Sequence, residues 1–348
     1  MTDIKNKRYI YPLFCEGIIK NDNLYAFDNR LSAMCKANLK DMSMDILECY
    51  ESEEPIFVKR IFAFGDTFVL QHERSLNLVI YDTKEGTYFE CFKNSSVEGI
   101  FNVIQLQQEL VFIPLNWTNE IIVFDLDKRV YSDYQNLHII NDESIMVLRP
   151  NLYKNSIIFP TQNENSFFQI KKWEKNINKI SLIPSDVIPH IVKGDGNNLW
   201  VIEEVAEKLY GFGSENIVIS IPPGRYGDIA VLEKFICLMP LVGYQLIIIS
   251  KEDKTVRALG EISESSTGEM YGKVTSHVYC IEDNEYIYLF PNDNGFILKV
   301  NKTSYEINHC GFACKEYEKK MMQRYFGDDL IRYEERGKGL SQFIEMIR

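Results

Sequence analysis

Seven polar residues that recur at intervals of 38 to 49 residues are the first candidates for chemistry. They are Glu16, Arg60, Asn102, Ser144, His190, Asp228 and His277. If the fold gathers these positions, the resulting ring could hold a metal ion, an anion or a sugar. The alternative is a polar, solvated opening without a ligand.

Two histidines and two acids in this set suggest metal or acid–base chemistry. Imidazole nitrogen and carboxylate oxygen are common ligands of divalent ions. The metal candidates are therefore Glu16, His190, Asp228 and His277. The same groups could serve a lyase that removes a proton next to a carbonyl, with His190, His277 and Asp228 as the catalytic candidates. A one-residue slip in strand register would turn such a side chain to the opposite face. The metal site and the lyase therefore both remain alternatives. No cofactor other than a divalent metal is expected.

Two loops carry residue types that favour ligand binding. The loop 222–228 combines two prolines and two glycines with Arg225 and Tyr226. Arginine binds carboxylates through two parallel hydrogen bonds, and both residue types are enriched in binding hot spots. An exposed Trp117, next to Asn116, could stack on a sugar or a peptide. The predicted ligand-binding residues are Arg225, Tyr226, Trp117, Asn116, Arg60 and Asn102, although both loops could simply connect or pack repeat units.

Composition excludes several classes of function. The chain has 348 residues, 45% of them hydrophobic, and its 38 basic and 50 acidic residues give a net charge of −12. An acidic chain without a basic cluster is a poor partner for nucleic acid or an anionic membrane. No segment reads as a signal peptide or a membrane span, so a cytoplasmic location is expected, with cysteines as thiols. Abundant Ile, Asn and Lys suggest a bacterial source.

Internal repeats place these residues in a fold. Short apolar runs followed by polar turns begin near residues 34, 78, 121, 167, 209, 246 and 296. This spacing is in the range of propeller blades. Within each copy, Asn-, Asp- or Gly-containing turns separate strand-length segments, and in four copies the second segment ends in proline. The pattern predicts an all-β, seven-bladed β-propeller of four-stranded antiparallel blades; six blades would result if the least regular first copy differed.

The predicted blades fill the chain as far as residue 311. Their approximate limits are 13–56, 57–98, 99–141, 142–186, 187–223, 224–272 and 273–311. The remaining segment, 312–348, shows apolar residues at helical spacing and predicts a short helical extension. This extension either caps the propeller or binds a partner.

Three repeat units resemble a known class of propeller repeat. They are LVFIPLNWTNEIIVFDLDKRV (110–130), IIFPTQNENSFFQIKKWEKNI (157–177) and IYLFPNDNGFILKVNKTSYEI (287–307). Their order of apolar strand, polar loop, apolar strand and polar turn resembles kelch-like and streptogramin-lyase-like repeats. The resemblance implies a propeller over most of the chain. It transfers no catalytic residue, because propellers host lyases, hydrolases, sugar binders and scaffolds alike.

These observations favour a binding module over an enzyme. The module would hold a peptide, a protein partner or a saccharide on one propeller face, around the mouth of the central channel. The alternative is a lyase or hydrolase at that mouth, with a histidine base and a possible divalent metal. A third possibility is a structural subunit of a larger assembly. Convergence of histidine and acid side chains would indicate the enzyme, and a broad face without it would indicate the module.

Overall fold

The chain folds into seven consecutive antiparallel sheets of four strands each. This is the predicted seven-bladed β-propeller, and six blades is excluded. The computed structural model describes residues 12–326 except 52–55, 73–75, 93–100, 115–120, 135–148, 155, 161–166, 172–176, 182, 185, 241–244, 260–276, 292–296 and 315.

Each blade consists of four consecutive strands. The strands of blades 1 to 4 are β1 (Gly17–Lys20), β2 (Asn23–Asp28), β3 (Ala33–Asn38) and β4 (Ser43–Cys49); β5 (Val58–Phe64), β6 (Thr67–His72), β7 (Leu78–Asp82) and β8 (Thr87–Cys91); β9 (Phe101–Leu106), β10 (Glu109–Pro114), β11 (Ile121–Asp125) and β12 (Val130–Tyr134); and β13 (Asn151–Tyr153), β14 (Ser156–Pro160), β15 (Phe167–Lys171) and β16 (Ile177–Ile180). Those of blades 5 to 7 are β17 (Ile191–Gly194), β18 (Leu199–Ile202), β19 (Ala206–Phe212) and β20 (Ile217–Gly224); β21 (Tyr226–Val231), β22 (Phe235–Pro240), β23 (Leu246–Ser250) and β24 (Val256–Leu259); and β25 (His277–Glu282), β26 (Tyr286–Pro291), β27 (Ile297–Asn301) and β28 (Ile307–Cys310).

The apolar runs of the sequence form the third strand of each blade. These strands are buried on both faces, as in β7 and β11, because neighbouring blades cover each sheet from both sides. The fourth strands lie at the rim and are largely exposed, as in β8. The four predicted strand-ending prolines end β10, β14, β22 and β26, where proline removes no interior hydrogen bond.

Left-handed backbone conformations mark the tight turns. Gly65 and Gly86 adopt φ values of 57° and 65° in the first and third hairpins of blade 2. The equivalent turns of blade 3 use Gln107 and Arg129, at 58° and 55°. Glycine takes this conformation without strain, whereas a larger residue needs support from the surrounding structure. The repeat geometry therefore sets the turn even where the residue type does not favour it.

The core is divided among the junctions between blades. In the described residues there are seven buried apolar clusters, and each joins two adjacent blades. One of them joins blade 7 to blade 1 and contains Phe14, Phe290 and Phe312. Because the last blade packs on the first, the ring is closed.

Polar contacts reinforce this closing junction. The segment after β28 pairs with the edge of blade 1 through hydrogen bonds from Met44 N to the Ala313 carbonyl (3.0 Å) and from Ala313 N to the Met42 carbonyl (2.7 Å). The Tyr288 hydroxyl of blade 7 donates to the Leu39 carbonyl of blade 1 at 3.1 Å. Residues that are far apart in sequence thus share one junction.

The C-terminal extension begins with a helix that packs on blade 1. Helix α1 (Tyr317–Phe326) contributes Tyr317 and Met321 to the closing junction. Arg324 Nη1 and Nη2 donate to the Leu31 carbonyl (2.9 Å) and to Ser32 Oγ (2.6 Å). This part of the extension is therefore a cap, and residues 327–348 of the predicted extension lie outside the described residues. No helix in the described part has the length and apolar character that a bilayer crossing requires.

Candidate functional site

A cluster of charged side chains lies at the centre of the ring. The first strands of adjacent blades contact one another at four junctions, which places them innermost. Glu16 in blade 1, Arg60 in blade 2, Arg149 in blade 4 and Asp228 in blade 6 meet through ion pairs. Blade 4 is adjacent to neither blade 1 nor blade 6. The side chains of Glu16, Arg149 and Asp228 can therefore meet only across the central axis. This set of four residues, with Lys193 described below, is named the channel cluster.

Arg60 and Glu16 form the most complete pair in this cluster. Arg60 Nε and Nη2 each donate to a Glu16 carboxylate oxygen at 3.1 Å, and Nη1 donates to the Val103 carbonyl at 3.1 Å. Ile61 N also donates to Glu16 Oε2 at 3.1 Å. Burial raises the pKa of Glu16, but the charges of Arg60 and Arg149 and these hydrogen bonds outweigh it, so the pKa is lowered. Glu16 is therefore an ionised anchor that holds Arg60 in place.

Arg149 spans the channel, and fewer of its N–H donors form hydrogen bonds than those of Arg60. Its Nη1 lies 2.9 Å from Asp228 Oδ2, whereas its Nη2 lies 3.8 Å from Glu16 Oε1. The second distance is too long for a good hydrogen bond. The Arg149 side chain is 37% exposed, compared with 20% for Arg60. A guanidinium has five N–H donors, so Arg149 keeps donors available to a ligand in the channel.

Lys193 in β17 adds a third cation to the channel cluster. The positive charge of Arg149 is the largest cause that lowers its pKa, burial is the second, and Asp228 and Glu16 act in the opposite direction. The net effect is a pKa of about 8. At neutral pH the ammonium is therefore charged, but less favourably than in water.

Tyr279 in β25 belongs to the junction between blades 7 and 1 and carries a buried hydroxyl. The residue is 8% exposed, and its ring stacks on Phe290 with 4.6 Å between centroids. A Cβ added at Gly17 would lie 2.4 Å from the Tyr279 hydroxyl, 2.6 Å from Leu24 and 3.2 Å from Ala26, so this hydroxyl lies in the apolar junction against the backbone of blade 1. Among the described residues it has no hydrogen-bond partner. Burial and the nearby Glu16 charge raise the pKa of Tyr279, so the hydroxyl stays neutral and can donate.

The structure brings three of the seven predicted ring residues together. Glu16, Arg60 and Asp228 belong to the channel cluster. Asn102 lies in β9, next to the Val103 carbonyl that Arg60 contacts. Ser144 lies outside the described residues, and the same holds for the His277 side chain. His190 is exposed before β17, where its backbone N–H donates to the Ile202 carbonyl.

The sequence did not reveal Arg149 and Lys193 as members of the channel cluster. Arg149 precedes the end of β13 by four residues, as Arg60 precedes the end of β5. Counting back from the turn, instead of forward from a blade boundary, would have found it. Register shifts between residues 226 and 228 and between 277 and 279 re-aim side chains in blades 6 and 7. Such shifts leave no clear signal in the sequence.

The predicted loop 222–228 lies in strands β20 and β21, with only Arg225 between them. The Arg225 side chain is 53% exposed, and its Nη2 lies 3.6 Å from Glu204 Oε1. Tyr226 is only 3% exposed and packs between blades 5 and 6. Its hydroxyl donates to the Pro222 carbonyl at 2.7 Å, and burial raises its pKa to about 12. Arg225 is therefore accessible, Tyr226 is a packing residue, and Asn116 and Trp117 lie outside the described residues.

The acids of the channel cluster are paired with arginines. In the described part of the chain, no three His, Cys, Asp or Glu residues converge in a way that could hold a metal ion. Glu16 and Asp228 instead contact Arg60 and Arg149. The predicted four-residue metal site includes His277, whose side chain is not described, and it stays a prediction.

Comparisons with known proteins identify the fold and no family. No protein-family model matches the chain, and no curated protein matches it either. A solved streptogramin B lyase superimposes with a TM-score of 0.63 at 13% identity, covering 87% of this chain and 97% of the lyase. A catalytically inactive virginiamycin B lyase from Staphylococcus aureus, solved with quinupristin, gives 0.60 at 13% identity over 84% and 95%. YCF48 bound to D1 peptide gives 0.60 at 9% identity over 86% and 95%.

These identities show a shared fold and nothing more. The predicted resemblance to streptogramin-lyase-like repeats is confirmed as a statement about architecture.

Proposed function

We propose that this protein is a binding module that holds a peptide or a segment of a protein partner at the mouth of its central channel. The observation that carries the proposal is the pairing of the channel acids with arginines. Asp228 lies 2.9 Å from Arg149, and Glu16 accepts two hydrogen bonds from Arg60. The two carboxylates of the channel cluster are thus held as fixed charges.

Fixed charges suit recognition better than proton transfer. A general base works best when its pKa is near the working pH. The pKa of Glu16 is instead lowered by the arginines, which makes this carboxylate a weak base. A partly exposed arginine, by contrast, can bind polar groups of a peptide that enters the channel mouth. The solved fold with a bound D1 peptide is compatible with this use of a propeller.

The proposal can be tested with arrays of synthetic peptides and the full chain. We expect the wild type to bind a defined subset of peptides and Arg149→Gln to lose at least tenfold in affinity for them, because the substitution removes a charge-assisted contact. Arg257→Gln is the matched control, since Arg257 lies in the outer strand β24 over the Tyr305 ring. Circular dichroism would check that both variants fold.

Two results would contradict the proposal. Binding to a glycan array but to no peptide would show that the ligand is a saccharide and not a peptide. Consumption of quinupristin by the wild type, measured by liquid chromatography and lost in His190→Ala, would favour the lyase alternative.

A further inference from the structure

Two of the cysteines face each other across the junction between blades 6 and 7. In β22, Cys237 belongs to the buried cluster of that junction, whereas its neighbour Ile236 belongs to the cluster between blades 5 and 6. In β25, Cys280 packs against the same cluster as Cys237, whereas its neighbour Tyr279 belongs to the junction between blades 7 and 1. Because side chains alternate between the two faces of a strand, both thiols point into one junction.

The two strands are close enough for these thiols to meet. Residues of β22 and β25 lie within 8 Å of one another, measured between Cα atoms. The Cys237 and Cys280 thiols are hydrogen-bonded to each other, and both are free thiols. A disulfide usually joins residues whose Cα atoms are about 4.4–6.8 Å apart. The pair therefore meets the first requirement of a disulfide, which is two thiols in contact between neighbouring strands.

The two cysteines differ in their exposure to solvent. Cys237 is 0% exposed. Cys280 is partly exposed and lies in β25, the innermost strand of blade 7. A small oxidant can therefore reach the sulfur of Cys280 first, and Cys237 is the neighbouring thiol that can react with the oxidised sulfur.

Cys310, in the junction between blades 7 and 1, provides a contrast. Its Sγ donates to the Ile297 carbonyl at 3.4 Å, whereas Cys280 Sγ lies 3.9 Å from the Ile281 carbonyl. Cys310 is also partly exposed. Because a backbone carbonyl satisfies its thiol, we expect Cys310 to remain reduced under conditions that oxidise Cys280.

The surroundings of Cys280 disfavour a thiolate. The hydrogen bond with Cys237 is the largest cause that raises the pKa of Cys280, burial is the second, and negative charge at Cys237, Glu282 and Asp228 acts in the same direction. A disulfide carries no charge, so these surroundings do not disfavour it. Reduction by exchange must release a thiolate, and a thiol of high pKa is a slow leaving group. A disulfide at this place should therefore resist reduction.

We propose that Cys237 and Cys280 are an oxidative modification site, at which a disulfide forms and stabilises the junction between blades 6 and 7. With hydrogen peroxide as the oxidant, the Cys280 sulfur attacks one peroxide oxygen and the O–O bond breaks, which gives a sulfenic acid and one water molecule. The Cys237 sulfur then attacks the Cys280 sulfur, the S–O bond breaks, and the departing hydroxyl leaves as water with the Cys237 proton. Two thiols and one peroxide thus give one disulfide and two water molecules. This inference does not depend on the proposed function.

Peptide mapping of the full chain tests the site. The reduced protein would be treated with hydrogen peroxide, its remaining thiols would be blocked with N-ethylmaleimide in denaturant, and its proteolytic peptides would be analysed without reduction by mass spectrometry. We expect a link between the peptides that contain Cys237 and Cys280, with Cys310 labelled by N-ethylmaleimide as the internal control. A link from Cys280 to another cysteine, a sulfinic acid at Cys280 without a link, or both thiols still labelled would overturn the proposal.

Thermal unfolding measures the effect of the bond on stability. The two cysteines are 43 residues apart in the sequence, so their cross-link restricts the unfolded chain, and peroxide treatment should raise the Tm by about 3–5 °C. Cys280→Ala should abolish this rise, and the matched control Cys310→Ala should retain it. No rise in the wild type, or an equal rise in Cys280→Ala, would overturn the proposal.

Resistance to reduction is a third readout, and it needs no variant that must fold. The oxidised wild type would be incubated with millimolar reduced glutathione, and the two thiols would be counted by labelling over time. We expect the disulfide to persist, as structural disulfides do against the glutathione pool. Return of both thiols within minutes would overturn the assignment of a stabilising disulfide.

Discussion

The channel cluster and the junction between blades 7 and 1 both join distant parts of the chain, but with opposite chemistry. The junction packs Phe14, Phe290 and Phe312, with ring centroids 6.2 to 6.5 Å apart and exposures of 1% or less. The channel cluster joins blades 1, 2, 4 and 6 through charges that are 14% to 37% exposed. One region excludes water, and the other admits it.

This difference separates what holds the ring closed from what the ring is used for. Burial of apolar surface stabilises a fold by about 25 cal/mol for each Å². A partly buried ion pair roughly breaks even, because desolvation offsets its attraction. The closing junction therefore accounts for stability, whereas the channel cluster contributes little to it and is better explained by recognition.

The largest expected effect concerns the junction. Phe312→Ala removes a side chain with 0% exposure from between two blades. We expect it to lower the free energy of unfolding by about 3–5 kcal/mol, from lost burial and the cavity that remains. Chemical denaturation followed by circular dichroism measures this change.

Phe92→Ala is the matched control, because Phe92 is 63% exposed and should change stability by less than about 0.5 kcal/mol. Similar losses in the two variants would show that the junction does not close the ring.

A smaller loss is expected from Glu16→Gln in the channel. The substitution leaves Arg60 and Arg149 without their shared carboxylate charge. Because Glu16 is 21% exposed, we expect a loss of about 2 kcal/mol, below that of a fully buried pair. The lowered pKa of Glu16 means that its contribution is present above the ordinary value of 4.5 and disappears as the pH falls further. Denaturation curves of both proteins should therefore converge below pH 4.5, and a constant difference would contradict the pairing.

Lys193→Met should raise the free energy of unfolding, in contrast to the two preceding substitutions. Below about pH 8 the wild type must keep a charged ammonium near two arginines, so the variant should be more stable by about 1 kcal/mol at pH 7. The unfolded chain retains its proton up to an ordinary pKa of 10.5, so wild-type stability rises between pH 8 and 10.5. The difference in melting temperature should shrink over that interval. A difference that is equal at pH 7 and pH 9.5 would argue against a strained cation.

The smallest effect on stability is expected at the accessible Arg225, between β20 and β21. Arg225→Ala removes an exposed ion pair with Glu204, which lies 3.6 Å away and is 68% exposed. Such pairs contribute less than about 0.5 kcal/mol. A measurable loss of peptide affinity, with an unchanged melting temperature, would show that the binding face extends from the channel to Arg225. A loss of stability above about 1 kcal/mol would instead indicate that Arg225 has a structural role in connecting blades 5 and 6.

The sequence was informative where each blade repeats the same local environment. The apolar runs predicted the buried third strands, such as β7 and β23, because both faces of a blade are covered by neighbours. The prolines at 114 and 240 predicted the ends of second strands, because proline lacks an N–H. Asn, Asp and Gly predicted several turns but could not reveal that Gln107 and Arg129 adopt the same conformation.

The candidate site was predicted only in part. Glu16, Arg60 and Asp228 were identified from their repeat positions, and their partner Arg149 was not. Arg149 precedes a three-residue first strand, β13, whose start differs from that of the other blades. Tyr226 shows the opposite error: its residue type suggested a ligand contact, whereas the fold buries it between two blades.

By itself, the sequence determined the number of blades, the order of strands and the closed antiparallel design. These features depend on patterns within about 50 residues, which every blade repeats under the same constraints of burial and hydrogen bonding. Only the tertiary structure decided which polar side chains reach the central axis and which charges they meet. That outcome depends on the register of each inner strand and on contacts across blades 1, 4 and 6, which are remote in sequence and become neighbours only when the ring closes.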